Sequence, residues 1–209
     1  MAKSTHIQAV VAEARREQVL DAATKVFAER GFHKATIKQI ASEAGVADGT
    51  IYNYFTDKSD LLLGLLDRIN ETDQRAGGLA ESGTGDFEAF FKAYLEHRMH
   101  VLKDNLELLQ AVLPEVMVNQ PLQKRYFDTI LSPTYGLAKE QFEALQAKGV
   151  LRPLDPDLLL RVIPGTLLGL AVLGMLGDKT VHEQWNNLSS VISDLILNGL
   201  VSNETEEKA

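Results

Sequence analysis

The stretch Thr36–Phe55, TIKQIASEAGVADGTIYNYF, restricts the possible folds of this chain more than any other. Apolar residues recur at helical spacing on both sides of Gly45, which can take the positive φ of a sharp turn. Thr36 is followed three residues later by Gln39, the signature of a capping box that marks a helix start. The pattern therefore predicts two short helices joined by a tight turn.

The second predicted helix would leave polar and aromatic side chains exposed, among them Thr50, Tyr52 and Asn53. Such a surface is typical of the recognition helix of a DNA-binding helix-turn-helix. An ordinary αα-hairpin inside a helical bundle has the same spacing. The pattern alone therefore leaves both interpretations open.

Composition favours an all-α protein and excludes several kinds of site. The 209 residues include only six prolines, and no run of alternating apolar residues predicts a sheet. Because the chain has no cysteine, disulfides, thiol nucleophiles and thiolate metal sites are excluded. His97 and His100 lie three residues apart but on different faces of a predicted helix, so no metal or other cofactor is expected. With no nucleophile elbow and no telling carboxylate pair, the chain is not expected to be an enzyme.

The charge is unevenly distributed along the chain. The formal net charge is −8, whereas residues 1–66 carry eight Lys and Arg against eight Asp and Glu. A neutral N-terminal part with selected exposed cations can bind phosphates while the acidic remainder faces away. Because the N-terminus lacks the apolar core of a signal peptide, a cytoplasmic protein is expected.

Helix signals continue on both sides of the opening stretch. A first helix is predicted from about residue 8 to residue 30, where Gly31 ends it. A fourth helix is predicted to be capped by Thr56, with Asp57 and Asp60 in its first turn. Further helices are predicted over residues 86–103, over 105–113 up to Pro114, and from 119 to 148 with a kink at Pro133.

Breaks in these patterns predict two domains and a tail. A Gly-rich loop is predicted at 76–85. The predicted ranges are 1–56 for a helix-turn-helix domain, 57–202 for a second helical domain, and 203–209 for a disordered tail. The helix that starts at residue 57 would link the two domains.

The two C-terminal helices differ from the others in character. The helix predicted over 157–176 is apolar almost all round, so it either spans a membrane or is buried on several sides. Its uncharged stretch, 162–177, is shorter than the roughly 20 residues of a span and contains Pro164, so no membrane association is expected. The last helix is predicted to start at a capping box of Thr180 and Glu183.

These two helices together predict a four-helix interface between two copies of the chain. Glycines in the first would let another backbone approach closely, and the second carries a continuous apolar stripe. The predicted interface residues are Val162, Gly165, Leu168, Gly169, Val172, Trp185, Leu188, Val191, Ile192 and Leu195.

The run from about Val19 to Ile69 is similar to the DNA-binding domain of the tetracycline-repressor (TetR) family of bacterial transcription regulators. The pattern covers about 50 residues, VLDAATKVFAERGFHKATIKQIASEAGVADGTIYNYFTDKSDLLLGLL and the residues just beyond. The matching positions are Gly31-Phe32, Thr36, Ile40-Ala41, Ala44-Gly45-Val46, Gly49-Thr50-Ile51-Tyr52, Phe55 and Lys58. The resemblance implies an N-terminal helix-turn-helix domain followed by a variable, helical ligand-binding and dimerisation domain.

The resemblance implies DNA contacts at matching positions. Thr36 at a helix start, Tyr52 and Lys58 suit phosphate oxygens. Thr50 could meet a thymine methyl group, and Asn53 could pair with adenine. The predicted DNA-binding residues are Thr36, Lys38, Asp48, Gly49, Thr50, Tyr52, Asn53, Tyr54 and Lys58.

Two positions depart from the common family pattern, in which lysine is frequent at Asp48 and tyrosine is frequent at Asn53. Asp48 has three interpretations: it caps the recognition helix, accepts from a cytosine amino group, or is simply solvated. Capping is the favoured one. The departures leave the operator sequence undetermined.

The resemblance also implies a small-molecule pocket among the middle helices. Arg98 lies on an apolar helix face, so its guanidinium must be paired or hydrated. Its partner is either the carboxylate or phosphate of a ligand or an internal carboxylate. The predicted ligand-binding residues are Tyr94, His97, Arg98, Val101, Leu109, Met117, Phe127, Ile130, Thr134, Gln141 and Thr166.

These observations predict a homodimeric, ligand-responsive transcriptional regulator that represses from a near-palindromic DNA operator. A small, largely apolar molecule would release it by changing the spacing of the recognition helices, with the fourth helix as the moving element. The alternatives are a dimeric helical scaffold and an all-α enzyme, neither of which binds DNA.

Overall fold

The computed structural model of the chain describes residues 2–71 and 86–200, with side chains from residue 6 to residue 199. Within these ranges every secondary-structure element is a helix, which confirms the predicted all-α class. The predicted loop at 76–85 and the predicted tail at 203–209 lie outside the described residues.

The chain divides into two compact units. One holds the residues up to Asn70 together with Glu107–Phe127, and the other holds Glu71–Leu106 together with the residues from Asp128 onwards. The first unit therefore includes the fourth helix, which the predicted division assigned to the second domain.

The first unit begins with four helices. These are α1 (Ala2–Lys34), α2 (Ile37–Glu43), α3 (Asp48–Ile51) and α4 (Lys58–Asn70). Both α2 and α4 pack on α1, and α3 packs on α2. The side chains buried completely at their centre include Phe27, Ile40, Ile51 and Leu61.

Helix α1 is longer than predicted, because it begins at Ala2 rather than near residue 8. Its backbone leaves the helical conformation at Gly31, where φ is +72°, as the predicted glycine stop requires. One more turn follows Gly31 and ends at Lys34.

The predicted cap of α4 is wrong by one residue. Asp57, not Thr56, caps the helix, because the Asp57 Oδ1 atom accepts a hydrogen bond from the Asp60 N–H at 2.7 Å. The Asp57 carbonyl also accepts the first helical bond, from Leu61. Thr56 instead donates to the Asp60 carboxylate through its N–H, at 2.9 Å, and through its hydroxyl.

The segment 107–127 completes the first unit. It holds most of α6 (Leu106–Val118) and all of α7 (Gln120–Tyr126), which packs on α4. Pro114 does not end α6 as predicted, since one missing hydrogen bond interrupts a helix without terminating it. Asn119 caps α7 by accepting from the Leu122 N–H.

The second unit is a bundle of longer helices. They are α5 (Phe87–Asp104), α8 (Ser132–Ala147), α9 (Pro156–Met175) and α10 (Lys179–Leu200). A π-helical turn, Phe127–Leu131, precedes α8 and lies just before Pro133. Helix α10 packs mainly on α5, and α9 packs on α8, α10 and α5.

The start of α10 is also set by a residue other than the predicted one. Asp178 caps the helix, because its Oδ1 atom accepts from the Val181 N–H at 3.0 Å and its carbonyl accepts from His182. Thr180 lies inside the first turn, so the predicted capping box of Thr180 and Glu183 is wrong. An aspartate placed before the turn captures the same orphan N–H groups.

Helix α9 has two apolar faces, one buried and one exposed. One face is buried, and its residues are Leu160, Ile163, Leu167 and Ala171. The opposite face is exposed and carries Leu158, Val162, Leu168, Val172 and Leu173. Leu176, the C-cap residue directly after the helix, is exposed as well. By length and composition α9 is the one helix in the described ranges that could cross a membrane, with a mean hydropathy of 2.0, and soluble core helices also meet this criterion.

Candidate functional site

The start of α2 is organised by Thr36. The Thr36 Oγ1 atom accepts a hydrogen bond from the Gln39 N–H at 3.3 Å, and Gln39 Oε1 accepts from the Thr36 N–H at 3.0 Å. This is the predicted capping box, which satisfies two orphan donors at the helix start. Thr36 and Lys38 are both exposed at this helix end.

The turn between α2 and α3 is made by Gly45. Its φ is +64°, a conformation that favours glycine, as the sequence predicts. The Gly45 N–H donates to the Ser42 carbonyl at 3.2 Å, and the Val46 N–H donates to the Ala41 carbonyl at 3.0 Å. Ala41 is fully buried where the two short helices meet.

Helix α3 is only one turn long and is anchored by a single side chain. Ile51 is its one buried residue, with no solvent exposure. Beyond Ile51 the chain continues as a tight turn, in which the Asn53 N–H donates to the Thr50 carbonyl and the Phe55 N–H to the Ile51 carbonyl. The recognition element is thus a short, hydrogen-bonded segment from Asp48 to Phe55.

The outward face of this segment carries most of the residues predicted to bind DNA. Asp48, Gly49, Tyr52 and Asn53 are exposed, while Thr50 and Tyr54 are half-buried. A Cβ atom added to Gly49 would meet no atom within 4 Å, so the backbone there is open to a partner. The face offers hydroxyl, phenol and amide groups, which suit phosphate oxygens and base edges.

Asp48 does not cap α3, so the favoured interpretation of this residue is wrong. The N-cap position belongs to Ala47, and no side chain makes a capping hydrogen bond there. Asp48 lies one position inside the helix, in its first turn, where a carboxylate interacts favourably with the helix dipole.

Lys58 is engaged in a different way from the phosphate contact predicted for it. Its ammonium donates to the carbonyls of Phe32 at 2.6 Å, His33 at 3.3 Å and Ala35 at 3.0 Å. It also lies 4.4 Å from the centre of the Phe32 ring. Burial lowers the pKa of Lys58 below its usual 10.5, and the charge of Glu115 opposes that shift. Lys58 therefore ties the start of α4 to the end of α1, a role that sequence reasoning missed.

In the second unit, Arg98 meets an internal carboxylate. Only 6% of Arg98 is exposed, and its Nη1 atom donates to Glu71 Oε2 at 2.8 Å. His97 Nε2 lies 2.7 Å from the same oxygen. Of the two predicted alternatives for Arg98, the structure therefore contains the internal ion pair. Glu71 has a φ of +52° and is the one non-glycine residue with positive φ in the described ranges.

The other predicted ligand-binding residues differ in burial. Leu109, Ile130 and Thr134 are buried, and the Thr134 hydroxyl donates to the Ile130 carbonyl at 2.7 Å. Tyr94, Val101 and Gln141 are half-buried. The set is divided between the units, since Leu109, Met117 and Phe127 belong to the first and the others to the second.

Four of the predicted ligand-binding residues are exposed. They are His97, Met117, Phe127 and Thr166, and the Thr166 hydroxyl donates to the Val162 carbonyl. Phe127 opens the π-helical turn, in which Ile130 is the buried residue. A π-helical turn holds more residues than a turn of a regular α-helix, so the periodicity of a regular helix does not apply across it.

The predicted dimer-interface residues fall into two groups. Exposed members are Val162, Gly165, Leu168, Gly169 and Val172 on α9, with Val191 and Leu195 on α10. Gly165 and Gly169 have open space where a Cβ atom would lie.

The remaining members belong partly or wholly to the core of the second unit. Trp185 and Ile192 are 6% and 5% exposed, and the Trp185 indole N–H donates to the Met99 carbonyl at 3.2 Å. Leu188 is half-buried. Because the apolar stripe of α10 faces α5, Trp185 and Ile192 cannot form part of an outer face, and their prediction as interface residues is corrected.

The N-terminal part of the chain is similar in sequence to known proteins. The family model described as "Bacterial regulatory proteins, tetR family" matches residues 19–65, which span the C-terminal half of α1, all of α2 and α3, and the first part of α4. The HTH-type transcriptional regulator HbdR of Aromatoleum sp. is 46% identical over 70 residues. That alignment covers 34% of this chain and only 31% of HbdR, so the chain spans about a third of that relative.

Two further proteins are similar over much more of the chain. The HTH-type transcriptional repressor KstR2 of Mycolicibacterium smegmatis is 31% identical over 169 residues, which cover 73% of this chain and 75% of KstR2. The crystal structure of the regulator FadR from Bacillus subtilis in complex with stearoyl-CoA superposes with a TM-score of 0.68 and 25% identity. It covers 88% of this chain and 98% of FadR.

The helix-turn-helix geometry at the N-terminus and the similarity over most of the remaining length lead to one conclusion. The chain belongs to the tetR family of bacterial regulatory proteins.

Proposed function

We propose that this protein is a homodimeric transcriptional repressor that binds a near-palindromic DNA operator in the cytoplasm. The observation that carries the proposal is the outward face of Asp48–Phe55, a short segment whose Ile51 and Phe55 side chains are buried in the core. Its exposed groups match the chemistry of a duplex, because Tyr52 suits a phosphate and Asn53 suits an adenine edge. Outside this segment, the N-terminus of α2 also suits a phosphate. Lys38 adds an exposed cation beside the α2 start.

The homodimer is supported by the exposed apolar face of α9. Contiguous exposed apolar faces are unusual on a monomer, and α10 also has exposed apolar side chains, Val191 and Leu195. Two copies related by a two-fold axis would cover it with a four-helix contact, in which Gly165 and Gly169 permit close approach. A partner copy explains the face better than a bilayer, because the opposite face of α9 packs on three helices of its own unit. Such a dimer would present two recognition segments to successive major grooves.

We propose a small, largely apolar effector, and an acyl-CoA is the first candidate. The second unit has an apolar interior that includes Phe87, Phe91 and Phe142, whose rings lie in contact. The FadR structure similar to this chain holds stearoyl-CoA. An effector that binds preferentially to a dimer of unsuitable groove spacing would lower the operator affinity.

The proposal is tested by selecting duplexes from a random pool with the wild-type protein. We expect an enriched, near-palindromic sequence. Asn53→Ala should change the preferred base at one position of each half-site, at a cost of about 1–3 kcal/mol for the original base. Tyr52→Phe should weaken binding to all sequences evenly, because a phosphate contact carries no sequence information.

Asn187→Ala is the matched control, since Asn187 is an exposed asparagine of α10 in the other unit. It should leave both affinity and base preference unchanged. A wild-type pool without enrichment would contradict the proposed DNA binding and would favour the helical scaffold as the alternative.

The effector is tested separately, on the duplex that the wild-type protein selects. Adding stearoyl-CoA should lower the affinity of the protein for this duplex by about tenfold or more, which is a usual size for coupling between two sites. Coenzyme A alone should have no effect, because it lacks the apolar chain. Unchanged DNA binding at saturating stearoyl-CoA would reject this effector class and leave the DNA-binding proposal intact.

A further inference from the structure

The segment Glu107–Phe127 belongs to the first unit, although it lies far along the chain from the helix-turn-helix. The chain enters this segment between Leu106 and Glu107, at the start of α6. It leaves between Phe127 and Asp128, inside the π-helical turn. Residues whose neighbours in sequence belong to the second unit are therefore packed with the helices that carry the recognition face.

One side chain of this segment acts at the C-terminal end of the helix-turn-helix. Arg125 Nη2 donates to Asp60 Oδ1 at 2.8 Å. The other oxygen of Asp60 accepts from the N–H of Thr56 at 2.9 Å and from its hydroxyl at 3.2 Å. Thr56 directly follows Phe55, so Arg125 restrains the end of the recognition element through one intermediate carboxylate.

A second side chain of this segment contacts residues just before the N-terminal end of the helix-turn-helix. Glu115 is only 6% exposed, and its Oε1 atom accepts from Asn119 Nδ2 at 2.7 Å. Its Oε2 atom lies 2.9 Å from His33 Nε2, within ion-pair distance, although the geometry is not that of a hydrogen bond. The carboxylate charge also acts on the Lys58 ammonium, which holds the carbonyls of Phe32, His33 and Ala35.

These two contacts lie on either side of Thr36–Phe55 in the sequence. One acts on the residues that lead into the Thr36 cap, and the other acts on the residue that follows Phe55. A buried carboxylate with an oxygen that lacks a hydrogen-bond donor is costly unless opposite charges face it. The His33 ring on α1 lies within ion-pair distance of Glu115, and the Lys58 ammonium on α4 interacts with its charge. Both residues belong to the framework of the helix-turn-helix.

We propose that Glu115 and Arg125 are positioning residues for DNA recognition, which fix the two ends of Thr36–Phe55 without touching DNA. The inference rests on the proposed DNA-binding function. It assigns to α6 and α7 the role of holding the recognition face in its binding orientation. The sequence-based prediction assigns control of the recognition helices to the fourth helix alone.

The test measures the affinity of full-length variants for two duplexes. One is the duplex that the wild-type protein selects from a random pool, and the other is a scrambled duplex of equal length, at the same salt concentration. Arg125→Gln and Glu115→Gln should each weaken binding to the selected duplex by about tenfold. Binding to the scrambled duplex should stay within about twofold, because it depends on phosphate contacts rather than on orientation.

A double-mutant cycle shows whether Arg125 acts through Asp60. Asp60→Asn removes the same ion pair from its other side, so the double variant should lose no more affinity than either single variant. Glu107→Gln on α6 and Lys92→Gln on α5 are the controls for net charge, since both residues are exposed. Neither control should change the affinity for the selected duplex.

Three results would overturn the inference. They are wild-type affinity in both glutamine variants, an equal loss on both duplexes, and additive losses in the cycle. If a glutamine variant does not fold, Arg125→Lys and Glu115→Asp keep the charge but change the reach, and they should show the same selective loss. A wild-type protein that selects no duplex would refute the proposed function, and the inference with it.

Discussion

Replacing Leu195 by aspartate is expected to convert the dimer into monomers and to lower the affinity for the selected duplex by about a hundredfold or more. Leu195 is 72% exposed on α10, and we assign it, with the apolar face of α9, to the interface with the partner copy. An isologous interface contains every substitution twice. Formation of the variant dimer would therefore bury two carboxylates, one from each copy. An unpaired carboxylate is very unfavourable in such surroundings.

The loss of DNA affinity follows from the loss of the dimer. A dimer binds two half-sites at once, and the second contact benefits from a high effective concentration that a monomer lacks. Sedimentation equilibrium measures the oligomeric state, and a titration with the selected duplex measures the affinity. The thermal unfolding of the second unit should change little, because the Leu195 side chain is mostly exposed in a single chain.

Val11→Asp provides the matched control for this variant. Val11 is 57% exposed on α1, so the same chemical change is made at an apolar position in the other unit. The Val11 variant should remain dimeric. Dimeric Leu195→Asp protein with unchanged DNA affinity would contradict the interface that we propose on α9 and α10.

Local signals in the sequence were sufficient for much of the first unit. The capping box of Thr36 and the turn at Gly45 involve atoms no more than five residues apart, so residue type and spacing determine them. The glycine stop at Gly31 is of the same kind. The recognition face could be predicted for the same reason, since α3 and the turn after it are one continuous local structure.

Local signals failed where several residues could perform one task. Asp57 and Asp178 cap α4 and α10, whereas the sequence suggested Thr56 and Thr180. Each helix start offers neighbouring side chains that can accept from the same N–H groups. The choice depends on where the chain first becomes helical, and boundaries of that kind are poorly determined by residue type.

Contacts between distant residues could not be predicted at all. Lys58 reaches carbonyls that lie 23 to 26 residues earlier, and Arg98 meets Glu71 from 27 residues away. A sequence shows that a buried cation needs a partner, but only the packing of the helices selects the partner. The same reason explains the wrong assignment of Trp185 to the dimer interface. The apolar stripe of α10 is evident in the sequence, but the helix that the stripe faces is not.

Truncating Ile51 to alanine is expected to lower the free energy of unfolding of the first unit by about 2–5 kcal/mol. Ile51 is completely buried and is the one side chain that anchors α3. Its removal leaves a cavity under a helix of four residues, which has little else to hold it on the core. The affinity for the selected duplex should fall strongly, because the groups on Asp48–Phe55 would no longer be held in one orientation.

Ile51→Val separates this loss from a general effect of changing the core. Valine removes one methylene group and should cost only about 0.5–1.5 kcal/mol, with a correspondingly small loss of DNA affinity. Denaturant unfolding measures the free energy of unfolding of both variants. DNA binding is compared without denaturant, at a temperature at which each variant is folded. Since Ile51 is buried and cannot contact a duplex, any loss of affinity in the folded alanine variant must come from the mobility of α3. Full DNA affinity in that variant would show that the recognition segment is held by contacts other than those of Ile51.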